Sequence, residues 1–141
     1  MSSSHTQKSE EKIFVWPVRI YYEDTDAGGI GYHANYLKFA ERARTEYLRS
    51  KGYDHQRILA EDKLILVVRH EEIDYRAPAK LDDLLEVRTE TAEWGNTSIT
   101  LKQSVYRNDK LLAELKVTIV AISPEGKAVR IPPHLRQIFG G

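Results

Sequence analysis

The chain has 141 residues, 41% of them hydrophobic, which suits one domain with a single core. Its 21 Lys and Arg residues balance 21 Asp and Glu residues, so no net field draws it to nucleic acid or to an anionic membrane, and an anionic ligand must be met by local charge. Cysteine is absent, which excludes a disulfide framework, a thiolate nucleophile and thiolate metal sites.

The segment from Met1 to Lys12 is Ser-rich and charged, with no apolar run, and is expected to be a tail rather than a signal or an anchor. A single domain over 13–136 follows. No stretch approaches the ~18 apolar residues of a membrane span, so a cytoplasmic protein without a transmembrane segment is expected. Ile13 to Tyr22 is rich in Val, Ile, Tyr and Trp and reads as a strand, which Pro17 marks as an edge or a bulge. From Asn35 to Lys51, Tyr36, Ala40, Ala43 and Tyr47 recur at steps of four, three and four, the period of an amphipathic helix, with Gly52 as its cap.

A short helical link is expected from Asp54 to Glu61. The remainder reads as strands over Leu64 to Tyr75, Leu84 to Glu93, Thr97 to Arg107 and a regularly alternating run from Leu111 to Ala121. Ala77-Pro78, Gly95-Asn96 and Asn108-Asp109 punctuate them. Strand, long helix and then four strands on hairpin-length connections predict an α+β fold, an antiparallel five-stranded sheet around one helix. Arg130 to Gly141, with Pro132-Pro133, is expected to be a surface tail.

Chemistry concentrates between the first strand and the helix. Tyr21 to Tyr36 carries Glu23, Asp24, Asp26, His33, several aromatics and the glycines Gly28, Gly29 and Gly31. Glycines let backbone amides approach a ligand closely, and a helix entrance offers unpaired N–H groups and a positive dipole end, so an oxyanion has a place to bind. A carboxylate just upstream and a histidine at the entrance can act on a polarised carbonyl. The same residues also fit a structural role: acids before a helix cap it, Asp24 pairs with an arginine such as Arg19 or Arg42, and His33 is a hydrogen-bonded scaffold residue.

Several chemistries fail on spacing. Asp24-Thr25-Asp26 starts like a calcium loop, but Gly28 and Asn35 stand where ligands are required. The five histidines show no His-Glu-x-x-His pair, and there is no Gly-x-Ser-x-Gly elbow or Gly-Lys-Ser/Thr phosphate loop. No metal site and no cofactor are expected.

The run from Val18 to Tyr36, with Glu41-Arg42-Ala43-Arg44-Thr45-Glu46, Val67-Val68-Arg69, Tyr75 to Asp83 and Gly95-Asn96-Thr97-Ser98, closely resembles the hot-dog acyl-CoA thioesterases associated with the Tol-Pal system. These are relatives of 4-hydroxybenzoyl-CoA thioesterase, and the likeness covers roughly Trp16 to Pro133. It implies a sheet wrapped around the long helix, and subunits that pair edge to edge into a homodimer or homotetramer with active sites between them.

By resemblance, Asp26 is the catalytic carboxylate, as nucleophile or as general base, His33 orients the site or its water, and the Tyr32 amide polarises the thioester carbonyl. Glu41 is a candidate supporting carboxylate near the substrate. The turn of Asn96, Thr97 and Ser98 is where relatives hold coenzyme A. Here Asn96 stands where relatives often have a basic residue nearby, which leaves Arg69, Arg76 or Arg130 to supply charge. Gly31 stands where relatives often carry Val, which widens the acyl pocket.

The implied activity is hydrolysis of acyl-CoA to a free acid and coenzyme A. Acyl carrier protein is a second possible carrier of the acyl group. A binding module that holds an acyl thioester without turnover, and hot-dog dehydratase chemistry, are the alternatives. The intact Asp26 and His33 argue against the first, and the second needs a different acid-histidine motif.

Overall fold

A computed structural model describes residues 13–24, 30–31 and 33–140; the side chains of 30, 31, 33 and 34 are outside the described set. Strand β1 spans Phe14–Arg19, a 3₁₀ turn covers Tyr22–Asp24, and β2 is Ile30–Gly31. Helices α1 (His33–Ser50) and α2 (His55–Asp62) follow. Then come β3 (Ile65–Tyr75), β4 (Ala79–Lys80), β5 (Leu84–Trp94), β6 (Ser98–Arg107), β7 (Lys110–Ile122) and α3 (Pro133–Ile138).

The five long strands form one sheet in the order β1-β5-β6-β7-β3, antiparallel throughout, and β2 pairs with β4 in a separate two-stranded ladder. The sequence-predicted α+β architecture is present. Alternation explains the sheet: Leu85 and Val87, then Ile99, Leu101 and Val105, then Ala113, Leu115 and Val117 all point inward and are fully buried. The stripe Tyr36, Ala40, Ala43 and Tyr47 is the buried face of α1. Alanine at its two central positions lets the helix backbone come close to the sheet, while Phe39 and Leu48 fill the flanks.

One expectation is corrected. Residues 130–140 are not a surface tail, because Ile131, Leu135, Ile138 and Phe139 are buried in the core. Pro133 occupies the first position of α3, where a missing N–H leaves no helical bond unmade, so the Pro pair starts a helix rather than ending structure. Thr91 Oγ1 donates to the Phe139 carbonyl at 2.7 Å, and the Phe139 ring lies 5.5 Å from that of Tyr47.

The corner between β3 and β5 positions the loop that enters α1, because it carries β4. Asp82 N–H donates to Ile20 O and Ile20 N–H to Asp83 O, both at 2.9 Å. The Asp83 carboxylate accepts from Lys80 N–H and from Arg107 Nη1, each at 2.8 Å. Burial alone would raise the Asp83 carboxyl, but these hydrogen bonds and the charges of Arg107 and Lys80 outweigh it and hold the group below its ordinary value.

A depressed folded-state pKa contributes stability that is present above the unfolded value of about 4 and is lost as pH falls through the folded value. In urea titrations, the stability difference between wild type and Asp83→Asn is therefore expected to be constant above pH ~5 and to shrink below pH ~4. A difference unchanged into acid would remove the carboxylate's role.

Candidate active site

Helix α1 starts at His33, so the acidic, glycine-bearing segment leads straight into a helix N-terminus. The first N–H groups of any helix lack an intrahelical partner and carry the positive end of its dipole. Asp26 and Tyr32 lie outside the described residues, as does the side chain of His33.

The frame on either side of 25–29 is described. Before it, Tyr21 N–H donates to Asp24 Oδ2 at 3.0 Å and Asp24 N–H to Tyr21 O at 2.9 Å, closing the 3₁₀ turn. Asn35 Nδ2 donates to the Asp24 carbonyl at 2.5 Å, which ties that turn to the first turn of α1. Asp24 and Asn35 are both buried. Among the described residues the Asp24 carboxylate thus accepts from the Tyr21 N–H, while Arg19 Nη1 donates to Asp82 O at 2.9 Å.

After the segment, Ile30 pairs with Lys80 and Gly31 with Ala79. Behind α1, the Tyr36 ring lies 5.9 Å from Tyr75 and its hydroxyl donates to Ala77 O at 3.3 Å. Burial pushes the Tyr36 phenol up from its ordinary value, so it stays a donor at neutral pH.

Asn35 is the residue in this frame that the sequence reading did not single out. Removing its amide leaves a buried carbonyl unpaired, so Asn35→Ala is expected to lose about 1–3 kcal/mol of stability. Loss of activity at a temperature where the variant remains folded would mark it as a positioning residue, and unchanged kinetics would leave it structural only.

The described candidate substrate residues Glu41, Arg69, Asn96, Thr97 and Ser98 do not converge within the chain. Glu41 is exposed on α1, two turns into the helix, where it lines a cavity of about 430 Å³ between α1 and β3. Arg69 is the unpaired residue of a bulge in β3, where the register to β7 shifts between Val68 and His70. Such a bulge re-aims a side chain on an edge strand.

Asn96, Thr97 and Ser98 sit beyond the C-terminal end of β5, whereas α1 begins beside its N-terminal end, next to the corner that holds β4. The 11 residues of β5 separate them by ~34 Å. The turn is braced by Arg136, which donates to the Gly95 carbonyl at 2.6 Å and the Asn96 carbonyl at 3.2 Å and lies over the Trp94 ring at 5.3 Å. A cation therefore does stand at this turn, 40 residues away in sequence from Asn96, where spacing gave no sign of it.

An antiparallel sheet packed around one long helix defines a hot-dog domain. The chain belongs to the thioesterase-like superfamily, which it matches over residues 20–139. It is 46% identical over 127 residues to the acyl-CoA thioesterase YbgC of Haemophilus influenzae, covering 89% of this chain and 93% of the relative. It is 47% identical over 113 residues to the acyl-CoA thioester hydrolase YbgC of Escherichia coli O6:H1, covering 79% and 84%.

A probable thioesterase from Bartonella henselae superposes with a TM-score of 0.80 at 35% identity, over 85% of this chain and 99% of that one. A 4-hydroxybenzoyl-CoA thioesterase shares the fold alone, at a TM-score of 0.85 and 19% identity over 92% and 99% of the two chains. Among the described residues, no helix is long and apolar enough to cross a membrane, and no group of three His, Asp or Glu residues could hold a metal ion.

Proposed function

We propose that this chain hydrolyses acyl-CoA thioesters to a free acid and coenzyme A. The observation that carries the reading is its near one-half identity, over most of both chains, to relatives named as acyl-CoA thioesterases or thioester hydrolases. The Tyr32 amide and the α1 dipole stabilise charge on the carbonyl oxygen, and the Asp26 carboxylate attacks the carbonyl carbon or activates water. His33 orients the attacking group. The leaving thiol has a pKa near ~8.5 on the cysteine scale and departs without a strong general acid.

The working unit is a homodimer, or a tetramer built from such dimers. The two outer strands differ as docking edges. β1 has six residues and carries Pro17, which lacks the N–H a ladder needs. β3 has 11 residues and no proline. Two β3 strands paired antiparallel about a two-fold axis bring the α1 entrance of one subunit alongside the Asn96 to Ser98 end of its partner. That arrangement supports a site assembled from both subunits.

The reading is tested by thiol release from a panel of short, long and aromatic acyl-CoAs and from an acyl-acyl carrier protein, with sedimentation measured in parallel. Turnover by a dimer or larger assembly is expected. Binding of a thioester without turnover would replace hydrolysis with a holding function.

A further inference from the structure

We infer that the cavity between α1 and β3 receives the distal part of a straight aliphatic acyl chain, and that Phe139 forms its end wall and limits chain length. This inference rests on the thioesterase reading above. The cavity, about 430 Å³, has the size of a small-molecule site. Its α1 side is the single stripe Glu41, Arg44, Thr45 and Leu48, which runs along the same helix whose entrance carries the reaction.

Arg44 meets Glu71 at 3.5 Å near the entrance side, while Leu48, Leu66, Ile119 and Phe139 line the far part together with His55 at the start of α2. The direction is fixed by topology. α1 runs from the β4 corner towards the β5–β6 turn, β3 runs back the other way, and Val68 pairs with Ile119 in the far half of the sheet. Leu48, Leu66, Ile119 and Phe139 thus give the far part of the cavity an apolar wall against which a hydrocarbon tail can be buried.

Glu41 is eight residues from the start of α1, an axial distance of ~12 Å, and Leu48 is fifteen residues from it, at ~22 Å. An acyl group of a few carbons does not reach the cavity, nor does a single aromatic ring held at the helix entrance; a long alkyl chain does. Phe139 is held in place by the bond from Thr91 to its carbonyl and by its contact with Tyr47, so a residue near the C-terminus becomes a ruler for the substrate.

The test compares kcat/KM and Kd for butanoyl-, decanoyl- and hexadecanoyl-CoA in wild type and two variants. Thr45→Phe fills the cavity from a half-buried helix position, and Phe139→Leu deepens its end. Each buried methylene is worth about fourfold in binding, so expelling two or three methylenes is expected to lower kcat/KM for hexadecanoyl-CoA ~15- to 60-fold in Thr45→Phe. Butanoyl-CoA is expected to be hydrolysed within ~2-fold of wild type, which also shows that the variant is folded.

Phe139→Leu is expected to move the optimum towards longer chains. An identical length profile in all three proteins, with hydrolysis intact, would overturn the inference and leave the thioesterase reading standing. Absence of hydrolysis in wild type would overturn the thioesterase reading; the Kd series would then decide the cavity, with equal loss of affinity at every chain length in Thr45→Phe counting against it.

Discussion

Arg44→Leu is expected to lower the thermal midpoint by about 5–10 °C, the equivalent of roughly 2–3 kcal/mol for a domain of this size. The guanidinium is nearly buried, with its side chain 11% exposed, and donates from Nη1 to Gln103 Oε1 at 2.8 Å. Gln103 Nε2 in turn donates to the Ala40 carbonyl at 2.9 Å and to Thr89 Oγ1 at 3.0 Å, so one amide pins the middle of α1 to β5 and β6. Leucine restores apolar volume but leaves the amide oxygen unpaired inside the core.

Glu71 contributes little to the loss, because its side chain is 23% exposed and rehydrates when its partner is removed. Burial draws Arg44 below its ordinary pKa while the charges of Glu71 and Glu41 pull it back. Removing Gln103 as well, as Leu, is expected to cost less than the two single effects added, since the orphaned oxygen disappears with it. Strict additivity of the three midpoints would show that the two side chains do not act together.

This network also marks where sequence reading stops. The helical stripe and the alternation of β7 are legible because each is a local period, and the buried positions are the ones those periods select. Gln103 breaks the apolar run between Leu101 and Val105, and its partner Arg44 lies 59 residues away, a distance that no periodicity spans. Leu135, Ile138 and Phe139 carried an apolar signal that the two preceding prolines obscured, although Pro at the first turn is compatible with a helix.

The site divides in the same way. The run from Tyr21 to Tyr36 suggests its chemistry through residue types gathered in one short stretch of sequence, while Asp26, the residue the resemblance puts forward as catalytic, lies outside the described residues. The remoteness of Asn96, Thr97 and Ser98 from the α1 entrance follows from the direction and length of β5, which the motif itself does not encode. Arg136, which braces that turn, becomes visible only when α3 is folded against it.

Asp26→Asn keeps the shape of the side chain while removing its charge, so folding and thioester affinity are expected to change little and the chemical step a great deal. An amide neither attacks a carbonyl carbon usefully nor takes a proton from water at neutral pH. General-base or nucleophilic assistance of this kind is worth roughly 10²–10⁴ in rate. On the proposed mechanism the helix entrance still polarises the carbonyl in the variant, so a residual rate above background is expected.

The decisive measurement is thiol release from the best acyl-CoA by wild type and Asp26→Asn at saturating substrate, with Kd measured on both proteins. A fall in kcat of ~10² or more at similar Kd is the predicted result. A variant that turns over within a few-fold of wild type would contradict catalysis by the carboxylate at this position.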